Sequence, residues 1–327
     1  MSRPRADWTI VAIVVIALAL SLAAAFIPGW IRYVSQNALA AALASIGVMI
    51  LLRAGLLSFG QGLFYFLGAY AVALLNKHFA VTDAAVTVMI GAVCAGAVAS
   101  VLGFFIASYR GIFFSMLTLA ISMVVYGIAT KLSFFGGSDG LNIGTLSFFG
   151  YRPRGAELQI MSFRFCIWTS ALCGVGAHIF LRSRLGKVLE AIEDNEIRLE
   201  YLGRSVRDTI HIAYAAAGVL AGIGGALAGQ AARHVDPSFA YWTTAGDFIF
   251  VVLLSGQASV LSPFAGSFTL EVLRTFASAL FPNEWQLALG ATMLAIVLFL
   301  PSGLGHLVVL IVRAFKRRAE AREVIEQ

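Results

Sequence analysis

The sequence predicts an all-α integral membrane protein of about ten transmembrane helices, with a short amphipathic helix on the cytoplasmic side between the sixth and seventh. Three observations lead there. Of 327 residues, 60% are hydrophobic and only 12% are charged, against about 25% charged in a soluble domain. A soluble globule of this make-up would expose apolar surface that it lacks the polar groups to cover, which excludes a soluble enzyme, a disordered chain and a disulfide-stapled secreted domain. The apolar runs are continuous and reach the roughly 20 residues that a helix needs to cross the hydrocarbon core, without the alternation of a barrel strand. Finally, residues 1–7, 182–208 and 313–327 hold more than half of the 23 basic and 17 acidic side chains.

Taken in order, the spans fall at 8–29, 34–56, 61–77, 84–107, 112–131, 162–181 and 209–230. The first ends in Ala23-Ala24-Ala25, which resembles a signal-peptide cleavage site, but its apolar run exceeds the roughly 7–15 residues of a signal and it reads as a retained helix. Beyond residue 246 the sequence divides as 247–261, 264–281 and 285–311, with Pro263, Pro282 and Pro301 as punctuation and Ser262-Pro263 as a break. Fusing the first two pieces would give nine spans. Arg3 and Arg5 at one end, and Arg313, Lys316, Arg317, Arg318 and Arg322 at the other, put both termini in the cytoplasm. That requires an even number of crossings, hence ten. The chain 1–327 is then a single polytopic domain containing the cytoplasmic loop 182–208 and ending in a basic cytoplasmic tail, 313–327. The same counting puts 132–161 outside, where Arg152 and Arg154 run against the charge rule.

The loop 182–208 carries six bases and six acids, so it is more than a positively charged tether. Val188, Ile192, Leu199 and Leu202 share one helical face, and Glu190, Asp194 and Arg198 form an i, i+4 row on another. Gly186 and Gly203 bracket the segment and permit turns. The pattern fits a short amphipathic helix between two transmembrane helices, with enough patterned charge to dock a soluble partner, or an ordinary solvated loop helix.

Other features admit a bland reading beside a functional one. Gly218, Gly222, Gly225 and Gly229 give two small-xxx-small spacings in the seventh span, suited to close helix packing or to sliding. Gly136-Gly137-Ser138-Asp139-Gly140 follows the fifth span, where Gly137, Asp139 and Gly140 either line the outer mouth of a passage or form an Asp-capped turn. Ser58, Gln61, Tyr65 and Tyr70 in spans two and three are candidate pathway groups, with membrane-interface anchoring as the alternative for the two tyrosines. Arg53 can snorkel, and Glu271 with Arg274 is either a structural clasp or a polar wall. Cys94, Cys166 and Cys173 lie in apolar runs, and no Cys/His spacing suggests a metal. Neither a cofactor motif nor a GxxxxGKS/T phosphate loop occurs, so the chain cannot itself hydrolyse ATP; no nucleic-acid partner is expected.

Several segments, in order, resemble the LivM-type permease subunits of ABC importers for branched-chain amino acids. They are GVMILLRAGLLSFGQGLFYFLGAYAVALL (Gly47–Leu75), FFSMLTLAISMVVYGIATKLSFFGGSDGLNIG (Phe113–Gly144), SRLGKVLEAIEDNEIRLEYLGRSVRD (Ser183–Asp208) with its AI-x-x-NE core, HVDPSF (His234–Phe239) and LFLPSGLGHL (Leu298–Leu307). The resemblance implies an inner-membrane subunit that pairs with a second homologous permease chain (LivH-type), cytoplasmic ATP-binding subunits and a periplasmic or surface solute-binding protein. It implies that Gly186, Ala191, Glu193, Asp194, Asn195, Glu196 and Arg198 couple to the ATPase, with Leu202 and Gly203 as hinge. Two departures bear on the substrate: the family's glycine-rich turn is diluted in SGQASVLSPFAG (Ser255–Gly266), and the third span is unusually aromatic. Branched-chain or other hydrophobic amino acids are the expected cargo, with urea, amides and aromatic acids as alternatives within the superfamily. A carrier driven by an ion gradient is the alternative from another class.

Overall fold

The computed structural model describes residues 7–299. The basic tail 313–327 and most of the closing Leu298–Leu307 motif lie outside the described residues. Helices dominate: α1 (Trp8–Ala23), α2 (Gly29–Leu52), α3 (Gln61–Phe79), α4 (Ala84–Ile106), α5 (Gly111–Lys131), α6 (Ala156–Arg182), α7 (Arg184–Tyr201), α8 (Val206–Ala232), α9 (Trp242–Ser255), α10 (Leu261–Leu280) and α11 (Trp285–Phe299). Five of them, α2, α4, α5, α6 and α8, are long and apolar enough to cross a bilayer.

Local chemistry sets the boundaries. The Asp83 carboxylate accepts the backbone N–H groups of Ala85 and Val86 and so caps α4. Ser205 does the same for α8 through the N–H of Asp208. Pro28 immediately precedes α2. Gly256 adopts positive φ and stops α9. The expected break at Ser262-Pro263 falls elsewhere. Pro263 is the third residue of α10, where its missing N–H costs nothing because the first turn has no intrahelical acceptor. The chain turns at 256–260 instead, which moves α9 five residues toward the N-terminus of the expected 247–261.

Helix α8 is the hub and packs against α2, α3 and α4. Backbones come together there because side chains are missing. A Cβ at Gly68 of α3 would overlap the Gly222 carbonyl, one at Gly225 the Tyr65 carbonyl, and one at Gly224 the Ala40 carbonyl of α2. At the periphery the large apolar side chains point outward, including Phe113 of α5 and Leu172 of α6, both about three-quarters exposed. In a membrane these meet lipid.

The two ends of the bundle differ. At one, α7 reaches the α2–α3 and α4–α5 connections through Glu190 and Glu196. At the other, strand β1 (Leu141–Asn142) pairs antiparallel with β2 (His234–Val235), and the loop after α5 closes onto the segment that leads into α9.

Candidate coupling surface and polar cavity

The segment Arg184–Tyr201 is amphipathic, as its spacing requires, but it is not one straight helix. Asn195 has extended φ/ψ (−167°, 100°), and its Oδ1 accepts the Arg198 N–H at 2.9 Å. Asn195 therefore ends one short helix and caps the next. The expected Glu190, Asp194, Arg198 row is broken at that point, and so is the expected apolar face. Leu189, Ile192 and Leu199 are buried against the bundle while Leu202 is 75% exposed, beside the exposed Ile197 and Tyr201.

Two ion pairs tie the segment to other elements. Arg53 Nη1 meets Glu190 Oε1 at 2.7 Å while its Nη2 donates to the Gln257 carbonyl at 3.3 Å. Arg110 Nε meets Glu196 Oε1 at 2.6 Å. Arg182 pairs with Asp7. Glu193, Asp194 and Arg198 stay exposed and Ala191 is half-buried. Gly186 does not form a turn: it sits inside the first turn of α7, where a Cβ would overlap the backbone of Leu181. Gly203, with φ of +77°, does turn the chain out of the second helix.

At the opposite end, α2, α3, α8, α9 and α10 enclose a cavity of about 490 Å³. Arg274 of α10 is its electrostatic centre. Its Nη2 lies 2.5 Å from Asp247 Oδ2, and its Nη1 lies 3.3 Å from Glu271 Oε1. Such groups persist at membrane depth only when paired and facing a polar space. Asp236, Asn37 and Thr244 supply further polar lining, and Tyr65, Phe248 and Leu270 the apolar part.

Of the pathway groups expected from sequence, Tyr65 lines this cavity. Tyr70 is buried against Phe66 and Phe135. Ser58 accepts the Gly60 N–H at 3.2 Å, and Gln61 is fully buried; these three lie in packed interior, away from the cavity. Asp139 is exposed and accepts the Ser138 hydroxyl. Gly140 faces β2 so closely that a Cβ would overlap the Val235 carbonyl. The glycine loop thus buttresses the strand leading to Asp236, and its residues are not among those that line this cavity. Gly218 and Gly222 face Ala99 and Ala95 of α4, Gly225 faces the Tyr65 backbone of α3, and Gly229 faces Val235 of β2 and Ile143.

Sequence reasoning missed Asp247 and Arg110. Asp247 stands at the first position of the expected span 247–261 and was not singled out; with α9 starting at Trp242 it falls inside the helix. Arg110 sits in the four-residue connection 107–110 between α4 and α5, and its partner Glu196 is 86 positions away.

A multi-helix bundle with outward-facing apolar walls, a partly open charged cavity and an amphipathic segment at one end fits a membrane transport permease. The profile of the family described as branched-chain amino acid transport system, permease component, matches residues 33–298, and the chain belongs to that family. It is similar to the high-affinity branched-chain amino acid transport system permease protein LivM of Escherichia coli K12 and to that of Salmonella typhimurium LT2. Each is 26% identical over 273 residues, covering 76% of this chain. The match spans 64% of the length of those relatives. No solved structure matches the chain.

Proposed function

We propose that this chain is the membrane-spanning subunit of an ATP-driven importer for branched-chain or other hydrophobic amino acids. It would sit in the bacterial cytoplasmic membrane, cross it ten times with both termini inside, and pair with a second, homologous permease chain. Soluble ATPases would bind the α7 end, and a solute-binding protein would deliver cargo to the opposite end. The observation that carries this reading is the kinked α7 segment. Its inner face is anchored by three buried apolar side chains and two ion pairs, while Glu193, Asp194, Ile197, Arg198, Tyr201 and Leu202 are presented outward. An exposed apolar trio among charges, at the end of the bundle where the two arginine pairs anchor the segment, suits a protein groove. ATPase closure would push the segment, and Arg53 and Arg110 would pass the push to the α2–α3 and α4–α5 turns. Leu202 and Gly203 are the hinge in this scheme, and α8 is the helix that shifts.

Two measurements test it. Purification of the tagged chain from its native membrane in mild detergent should recover a homologous permease and soluble ATPases. Recovery of this chain alone would overturn the importer. Replacing Glu193 and Asn195 together should abolish ATP-driven uptake in the assembled transporter, and uptake at the wild-type rate would remove the coupling role of the loop.

A further inference from the structure

The end of the bundle away from α7 holds a second cavity, of about 330 Å³, between the starts of α2 and α6 and the end of α8. Arg32 and Arg233 are its charged lining residues, and no carboxylate lines it among the described residues. Arg32 Nε and Nη1 are enclosed by protein without an acceptor, so the bundle itself does not balance this charge. Nη2 is the guanidinium nitrogen left open, beside Gly29, where an added Cβ would stand 3.8 Å from it. Arg233 is exposed, and its Nη2 donates to the Gly144 carbonyl at 2.8 Å, a neutral partner that leaves the charge uncompensated. Glu157, in the first turn of α6, accepts the Tyr151 hydroxyl at 3.0 Å and is not part of the lining. Gly29 and Gly155 line the cavity where α2 and α6 begin, and neither helix has a side-chain cap. Open N–H groups at two helix starts add to the positive potential. A guanidinium set into protein without a counter-charge is costly, and here the counter-charge has to come from outside.

Phe26, Trp30 and Tyr33 are exposed around the same turn, and aromatic side chains of this kind gather where membrane meets water. That sets the cavity at the level of lipid headgroups, in the leaflet away from α7. We propose that it is a site for the phosphate of an anionic phospholipid such as phosphatidylglycerol, held by Arg32 and Arg233, with the acyl chains leaving along the aromatic turn. Arginines and open helix amides both suit phosphate oxygens. The neutral Gln159 and Ser162 of the lining suit a hydroxylated headgroup. Phosphatidylethanolamine would instead bring an ammonium toward two arginines and no carboxylate. The site goes beyond the transport reading and rests only on the bundle lying in a membrane, so loss of the importer would leave it standing.

The test uses the tagged full chain, with any subunits that accompany it, stripped of its own lipid in mild detergent. Native mass spectrometry then reads binding of phosphatidylglycerol and phosphatidylethanolamine with matched acyl chains. The wild-type chain should bind one phosphatidylglycerol at least about fivefold more tightly than phosphatidylethanolamine. Arg32→Gln should weaken that binding about tenfold, and Arg233→Gln, at the exposed rim, about threefold. Arg152→Gln removes the same charge from an exposed position outside the lining and should change nothing. Inorganic phosphate, added at the same concentration as the lipid, should not displace it. Equal binding of the two lipids by the wild-type chain would overturn the site, and that comparison holds whether or not Arg32→Gln folds. An Arg152→Gln loss as large as that of Arg233→Gln would overturn it too, because general surface charge would then suffice. Displacement by inorganic phosphate would give the cavity to a free anion and overturn the lipid assignment.

Discussion

Asn195 illustrates how one side chain sets the shape of a surface. Asparagine is among the best helix caps because its short carbonyl arm reaches an N–H two or three residues ahead. Here it takes the Arg198 N–H and lets the backbone open to an extended conformation between two helical pieces. The kink turns Ile197, Tyr201 and Leu202 outward while Leu199 remains against the bundle. Removing the cap with Asn195→Ala should cost about 1 kcal/mol locally. Amide hydrogen exchange across residues 197–201 should then quicken about fivefold, and Asn195→Asp, which keeps the acceptor, should restore most of the protection. Exchange that is identical in the alanine variant would mean that tertiary contacts alone hold the second helix. Sequence spacing alone made this segment one helix because period counting rewards the longest continuous match. A residue that both ends and begins a helix is invisible to periodicity, although asparagine in an otherwise well-patterned run is the signal that could have revealed it.

At the scale of elements, the glycines of α8 were legible as close-packing positions, since small residues four apart let backbones approach. Which helices they approach was not legible, because spacing along one chain carries no information about neighbours. The structure assigns Gly218 and Gly222 to α4, Gly225 to α3 and Gly229 to the side chains of Val235 and Ile143. A side chain at Gly222 would meet the Ala95 methyl and the Gly91 carbonyl, groups fixed to helical backbone that cannot swing aside. Overpacking of this kind typically costs 1–3 kcal/mol, so Gly222→Val should lower the detergent melting temperature and the yield of folded protein. Gly246→Ala in α9 is the matched control: a Cβ there has nothing within 4 Å, and alanine is the better helix former by about 1 kcal/mol. That variant should melt no lower than wild type. If Gly222→Val melted with it, the tight α4–α8 contact would be wrong. The same lack of neighbour information hid the charged cavity. Glu271 and Arg274 were visible as a pair one turn apart, but Asp247 joins them from another helix, and a five-residue error in the start of α9 was enough to leave it out.

For the whole molecule, the question is how a push on the α7 segment would reach the rest of the bundle. The two ion pairs that tie it down are partly exposed: Glu190 is 57% exposed, and Arg110 and Glu196 are each about a third exposed. Pairs of this kind contribute at most about 1 kcal/mol each, far less than the burial of Leu189, Ile192 and Leu199, at about 1.5–3 kcal/mol per side chain. The apolar contacts therefore hold the segment on the bundle, and the arginines contribute direction more than stability. Each connects the segment to a specific turn, Arg53 between α2 and α3 and Arg110 between α4 and α5. Arg53→Gln together with Arg110→Gln should accordingly leave the melting temperature within a few degrees of wild type. In the proposed importer, reconstituted with its ATPase subunits, the same double variant should still support ATP hydrolysis but should move several-fold less substrate per ATP. The ratio of uptake to hydrolysis in reconstituted vesicles is the readout, because a merely destabilised protein would lose both in proportion. An unchanged ratio would show that the push travels through the α6–α7 and α7–α8 connections alone, and Arg53 and Arg110 would then be anchors without a part in coupling.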